Sequence, residues 1–70
     1  MIPITLAEIG NENVIKKIGG NEEVKRHLEN LGFTVGGRVT VINTLGGSVI
    51  VKVKESRVAI GKDMATKIMI

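Results

Sequence analysis

Few side chains in this 70-residue sequence have types and spacing that could support chemistry. Glu23 and His27 are four residues apart, so a helix would place both on one face, where two metal ligands can meet. Two ligands bind weakly without a third, and the spacing indicates no third. A single histidine beside an apolar stripe is more often a residue at the edge of the core. Glu23 and His27 are therefore candidate metal ligands in an incomplete set.

Nucleophilic and phosphate-binding chemistry have less support. Ser48 and Ser56 lie in predicted turns, and nothing in their spacing connects them with His27. Serines in turns usually form local hydrogen bonds. The segment IGGNEE (18–23) places glycines before a helix, but it lacks the Lys and Ser/Thr of a P-loop, and its two glutamates would repel phosphate. The sequence therefore predicts a protein that is not an enzyme.

The segment NEEVKRHLENLG predicts the one substantial helix, over about residues 21–31. Asn21 is a suitable N-cap, and Gly32 can adopt the left-handed conformation that ends a helix. The spacing i, i+4, i+7 gives one apolar stripe, formed by Val24, Leu28 and Leu31. This helix is expected to pack by that stripe against a sheet.

The sequence before the helix predicts short strands. Apolar residues alternate with others over 2–6 and indicate an edge strand, where a proline is tolerated. Ile15 and Ile18 cannot share one face at a strict period of two. We therefore expect a bend or bulge near Lys16 and Lys17.

The sequence after the helix predicts antiparallel strands at RVTVIN, SVIVKVK, RVAI and TKIMI. Tight connections are expected at 45–47 and at Glu55–Ser56, and a single helical turn is expected at KDMA with Asp63 as its cap. Alternation directs Val49, Val51 and Val53 inward and Ile50, Lys52 and Lys54 outward. Five to six short antiparallel strands with one helix predict a mainly β, partly open barrel that forms a single domain over 1–70.

Composition limits the classes of function. There is no cysteine, so disulfides and thiolate chemistry are excluded. The N-terminus lacks the pattern of a secretory signal, and no apolar run approaches the roughly 20 residues of a membrane span, so a cytoplasmic location is expected. The formal charge of +3 suits either an ordinary solvated surface or docking on an acidic partner. A domain this short gains stability from its own core, from a partner or from weak self-association.

Nucleic-acid binding is an alternative for a small basic barrel. Single-strand binders stack bases on exposed aromatic side chains, whereas this chain has no Tyr or Trp, and its one Phe follows the helix, where it would cap the core. No cluster of lysines is dense enough to predict binding to a phosphate backbone. Nucleic acid is therefore not expected as a partner, and a phosphate-backbone binder is kept as an alternative.

The order of elements resembles the FeoA family, the small ferrous iron transport protein A. The central segment HLENLGFTVGGRVTV matches the family pattern through Leu28, Leu31, Gly32, Gly36, Val39 and Val41. The matches near the start are Leu6, Gly10, Ile15 and Ile18, and those of the tail are Ala59, Ile60, Ala65, Ile68 and Ile70. Two departures are His27, where the family often has Arg, and Val35, where it often has Pro.

The resemblance implies an SH3-like barrel with a helix inserted after the second strand. It implies a cytosolic accessory role in bacterial ferrous iron uptake, through protein–protein contact with the membrane transporter FeoB, which could hold the chain at the inner membrane. Ferrous iron is then the cargo of the transporter, and no cofactor is evident, although the family is sometimes labelled as binding transition metals. The sequence itself indicates a candidate contact surface, because an outward apolar residue flanked by lysines suits an interface. Its residues are Leu45, Ile50, Lys52 and Lys54. The alternative is a single exposed isoleucine of the kind that is normal on any surface.

Overall fold

The protein is described by a computed structural model that covers residues 1–70. In chain order its elements are β1 (Glu12–Val14), β2 (Lys17–Ile18), α1 (Glu22–Asn30), β3 (Arg38–Leu45), β4 (Ser48–Val53), β5 (Ser56–Gly61), α2 (Lys62–Ala65) and β6 (Ile68–Met69). All strand pairs are antiparallel, in a four-stranded sheet of order β1-β3-β4-β5 and a two-stranded sheet of order β2-β6. The six strands and the helix after β2 agree with the predicted architecture.

The predicted N-terminal edge strand is correct only for Ile2 and Pro3, which pair antiparallel with the end of the chain, and is wrong for residues 4–6. Residues Ile4–Leu6 form a turn of 3₁₀ helix, in which the Leu6 N–H donates to the Pro3 carbonyl at 3.0 Å. Only the first residues are extended, and Ile2 exchanges two backbone hydrogen bonds with Ile70. Ile4 is fully buried whereas Leu6 is exposed, so the alternating pattern did not reflect one buried face.

The bend predicted near Lys16 and Lys17 separates the two sheets. β1 pairs with β3, and β2 pairs with β6, so the chain changes sheets between Val14 and Lys17. Both Ile15 and Ile18 are buried as a result. The interruption of strict alternation in the sequence therefore has a structural cause.

Helix α1 begins and ends at the residues that the sequence indicates. The Asn21 side chain accepts a hydrogen bond from the Val24 N–H at 2.9 Å and so satisfies one of the free donors of the first turn. At the other end Gly32 has φ +105°, and the Phe33 N–H donates to the Leu28 carbonyl at 2.9 Å. The Gly32 N–H donates to Glu29, which completes a Schellman motif.

The predicted cap of the second helix is wrong. Gly61 occupies the N-cap position of α2 and makes no side-chain cap bond, whereas Asp63 lies inside the first turn. At that position its negative charge still interacts favourably with the positive end of the helix dipole. A helix of four residues is too short to show a periodic apolar pattern, so the sequence does not indicate at which residue it begins.

The core is entirely hydrophobic and lies between the two sheets and the helices. Its fourteen members are Ile4, Ile15, Ile18, Leu28, Phe33, Val39, Val41, Val49, Val51, Val53, Ile60, Ala65, Ile68 and Ile70. No polar or charged residue is buried. All hydroxyl, amide and ionisable side chains therefore lie at least partly at the surface, where any functional site must be built. Neither helix has the length and apolar character required to cross a bilayer.

Candidate interaction surface

The outer face of the four-stranded sheet presents the predicted contact residues. Strand β4 alternates strictly: Val49, Val51 and Val53 are buried, while Ile50 is half-buried and Lys52 is exposed on the opposite face. Pairing with β3 and β5 on either side holds β4 at the centre of this face. The outward direction of Ile50 and Lys52 is therefore fixed by burial of the valines between them.

The two other predicted residues lie at opposite ends of β4. Leu45 ends β3 opposite Ser48, next to the Gly46–Gly47 turn, and is 58% exposed. Lys54 is in the turn between β4 and β5, six residues beyond Ser48. Six steps along a strand are about 20 Å, so Leu45 and Lys54 cannot form one compact site. The structure brings Lys52 and Lys54 together and leaves Leu45 at the far end.

The lysines line a shallow polar depression of about 280 Å³ on this face. Its other lining residues are Glu12, Arg38, Thr40 and Glu55. Arg38 makes the one ion pair of the structure, with Glu12 at 3.5 Å, and both side chains are well exposed. Such a pair contributes at most about 1 kcal/mol, because water screens it. Lys52 and Lys54 have no carboxylate within 4 Å.

Cross-strand pairing brings further residues to this surface that the sequence alone does not predict. Lys52 lies opposite Thr40 on one side and opposite Arg57 on the other, and Thr40 lies opposite Glu12. One row therefore crosses all four strands. Arg57 could have been found only from the register of the β4–β5 hairpin, which depends on which residues form its turn.

That turn consists of Lys54 and Glu55, one residue earlier than predicted. The closing pair is Val53 with Ser56, and the two turn residues have φ +49° and +65°. Turns of this kind usually contain Asn and Gly, which tolerate positive φ. Because neither residue is present here, the sequence gives no signal for the position of the turn or for the register of the hairpin. Ser56, which was expected in the connection, is the first residue of β5.

The candidate metal ligands Glu23 and His27 lie on α1, and both are exposed. They line a depression of about 440 Å³ together with Val24, Arg26, Asn30 and Met64. The structure contains no group of three or more His, Cys, Asp or Glu residues that could hold a metal ion. The positive charge of Arg26 in the same depression disfavours a second cation. Glu23 and His27 stay an incomplete pair.

The candidate nucleophiles lie at strand ends. Ser48 begins β4 and Ser56 begins β5, and neither hydroxyl makes a side-chain hydrogen bond with His27 or any other residue. A nucleophilic serine needs a base within hydrogen-bonding reach. The structure places no base within hydrogen-bonding reach of either serine hydroxyl.

Comparison with known proteins decides the family. The chain matches the FeoA domain over residues 2–70. It belongs to the FeoA family. An Fe(2+) transport protein A of Methanocaldococcus jannaschii is 36% identical over 70 residues, which are 100% of this chain and 85% of the relative.

Solved FeoA structures have the same fold. The crystal structure of an iron uptake regulatory protein, FeoA, superposes with a TM-score of 0.88 at 28% identity, covering 97% of this chain and 90% of that one. FeoA of Stenotrophomonas maltophilia complexed with zinc, described as a prokaryotic SH3 domain protein, gives a TM-score of 0.83 at 20% identity over 99% and 88% of the chains. The predicted SH3-like fold and the resemblance to FeoA are both confirmed.

Proposed function

We propose that this chain is a non-enzymatic accessory protein of ferrous iron uptake, which docks on the cytoplasmic part of the transporter FeoB. The observation that carries the proposal is the match to FeoA over residues 2–70, with a relative named for Fe(2+) transport. The Stenotrophomonas maltophilia FeoA has a suggested role as a ferrous iron transport activating factor, which is a role of the same kind.

The chemistry of the surface supports docking. The core is fully apolar, and the charged groups are distributed over exposed faces. The outer face of β4 combines an apolar residue, Ile50, with the cations Lys52 and Lys54, and Leu45 adds an exposed apolar side chain at the hairpin tip. Apolar contact with flanking charge is typical of a protein-binding surface.

In this proposal iron is the cargo of the transporter and not a ligand of this chain. Glu23 and His27 supply two ligands at most, beside the guanidinium of Arg26. The chain is then held at the cytoplasmic side of the inner membrane by its partner.

Uptake of radioactive ferrous iron tests the proposal in cells that lack the chain. Reintroducing the wild-type chain is expected to restore uptake. Leu45→Asp, which puts a charge at the tip of the β3–β4 hairpin, is expected to lower the restored rate by about tenfold or more, because burying an unpaired charge in an interface weakens binding by at least that factor. The matched control is Val35→Asp, since Val35 is 65% exposed in the loop before β3.

The expected result is uptake close to wild type with Val35→Asp and much less with Leu45→Asp, at equal cellular protein levels. Uptake that is the same with and without the wild-type chain would contradict an accessory role. Equal uptake with the two variants would remove Leu45 from the contact surface.

A further inference from the structure

The β4–β5 hairpin carries an unpaired cluster of positive charge. Lys52 and Arg57 are directly opposite each other across the two strands, and Lys54 is in the adjoining turn. Like charges directly opposite in an antiparallel pair destabilise the sheet. The single ion pair of the structure joins Arg38 to Glu12, so none of these three cations forms an ion pair within the chain.

The same hairpin has a free backbone edge. Strand β5 ends the four-stranded sheet and pairs only with β4. The two-residue turn is closed by Val53 and Ser56, so in the alternating antiparallel pattern the backbone N–H and C=O groups of Arg57 and Ala59 point away from β4. Neither residue takes part in the nineteen backbone hydrogen bonds formed outside the helices and strands, and both are exposed.

These two features lie side by side and together specify the kind of partner. Only another polypeptide can supply the alternating donors and acceptors that a free strand edge lacks. The cations beside that edge select carboxylates. We propose that an extended acidic segment of a partner protein adds as a fifth strand to the free edge of β5, with a carboxylate beside Arg57 and, beyond it in the same row, Lys52. This inference rests on the proposed docking function and names the chemistry of the docked segment.

The register gives the segment a pattern. Side chains on the outer face recur at every second residue, so the positions opposite Arg57 and Ala59 both face outward. The position opposite Arg57 suits an acidic residue, which can pair with the guanidinium group. Ala59 is small and lies opposite the half-buried Ile50, which leaves space for an apolar side chain. In an antiparallel strand the apolar residue comes first, so the expected motif is apolar–x–acidic.

Other occupants fit less well. A second copy that paired β5 with β5 would bring two cationic hairpins together, which charge repulsion opposes. A nucleic acid could use the cations but not the strand edge, and the one aromatic side chain, Phe33, is fully buried and cannot stack on a base.

The test is an NMR titration of the isotope-labelled chain with a blocked octapeptide that contains Leu-Thr-Glu and no other charged residue. The amide protons of Arg57 and Ala59 are expected to shift and to exchange more slowly, because each gains a hydrogen bond. A peptide with lysine in place of the glutamate is expected to leave them unchanged. Equal shifts with the two peptides, or none with the acidic one, would overturn the proposal, as would larger shifts of these amides with oligothymidylate or with phosphatidylserine vesicles.

Charge reversal at Lys52 separates binding from folding. Lys52→Glu is expected to raise the Kd for the acidic peptide about tenfold or more, since it removes an attraction and adds a repulsion. The same change replaces a pair of like charges by Glu opposite Arg57, an attractive pair, so the Tm of the variant should equal or exceed that of the wild type. Unfolding of the variant therefore cannot explain a loss of binding. Lys67→Glu is the matched control, because Lys67 is an exposed lysine outside the sheet. Equal Kd values for the two variants would overturn the role of Lys52.

A parallel titration with the soluble cytoplasmic domain of FeoB distinguishes the two proposals. If the wild type and Lys52→Glu bind that domain equally, docking stands and the edge-strand inference fails. If the wild type binds the acidic peptide but not the domain, the edge site stands and the proposed function fails.

Discussion

Single residues at the ends of α1 determine where the helix stops. Gly32 has φ +105°, a conformation that penalises any residue with a Cβ. A Cβ built there would meet its nearest atoms, those of Lys54 and Val53, at 3.7 Å, an ordinary contact distance. The demand for glycine is therefore conformational and not steric.

Gly32→Val is expected to lower the free energy of unfolding by about 1–3 kcal/mol, because a β-branched residue is strained at positive φ. Thermal and urea unfolding would measure the change. Gly47→Ala is the matched control, since Gly47 does not have a positive φ and has no atom within 4 Å of an added Cβ. The same Tm for Gly32→Val and the wild type would contradict the assignment.

The N-cap gives a second prediction at this scale. Asn21→Ala should cost about 1 kcal/mol, because the Val24 N–H loses its acceptor. Asn30→Ala serves as the control, since Asn30 is exposed at the other end of α1 and its side chain makes no hydrogen bond. Equal losses of stability in the two variants, measured by urea unfolding, would count against the cap.

At the level of elements, the sequence predicted those whose signals are local. Strict alternation identified β4, and the capping residues together with the apolar stripe identified α1. The predicted strand over 2–6 is not fully formed, because a period of two over five residues also suits a 3₁₀ turn. Only the first residues of this segment are extended, and they pair with the end of the chain. The row from Glu12 to Arg57 could not be predicted, because it depends on the register of three strand pairs.

The β4–β5 turn shows why that register was hidden, and it offers a prediction. Lys54 and Glu55 adopt positive φ without being Asn or Gly. Replacing them together with Asn and Gly is expected to raise the stability by about 1–2 kcal/mol, since a left-handed conformation costs other residues about that much. Thermal unfolding should give a Tm higher by several degrees, at about 4–8 °C per kcal/mol for a domain of this size.

Glu55→Ala provides the control for the turn. This substitution removes the carboxylate of Glu55, as the Asn-Gly variant does, but it keeps a Cβ at φ +65°, so no gain in Tm is expected. If the Asn-Gly variant is no more stable than Glu55→Ala, positive φ at this turn is not a source of strain.

The whole molecule depends on one small apolar core. For 70 residues the total stability is on the order of 4–10 kcal/mol. Phe33 is the largest of the fully buried side chains and packs in the cluster that joins α1 to both sheets. Phe33→Ala is expected to cost about 3–5 kcal/mol and so remove much of the cooperative unfolding transition.

Calorimetry would measure this loss against Val35→Ala, which truncates a 65% exposed side chain and should change the stability by less than about 0.5 kcal/mol. A cooperative transition for Phe33→Ala within 1–2 °C of the wild type would contradict the central place of Phe33 in the core.

The fold of the whole chain was predictable because its signals agree along the sequence, from Leu28 and Gly32 at the helix end to Val39, Val41 and the alternating β4. The site was less predictable. Ile50, Lys52 and Lys54 could be assigned to one face by alternation, but their cationic neighbour Arg57 and the free edge of β5 come from the order and register of strands. Such properties belong to the assembled sheet and not to any local pattern.

The measurement that tests docking most directly is an NMR titration of the labelled chain with the soluble cytoplasmic domain of FeoB from the same organism. Docking through the sheet predicts amide shifts confined to the outer face of β4, the β5 edge and the hairpin tip at Leu45. Amides that stay unperturbed at an excess of the domain would contradict docking on that domain. Perturbations confined to α1 around Glu23 and His27 would contradict the assigned surface.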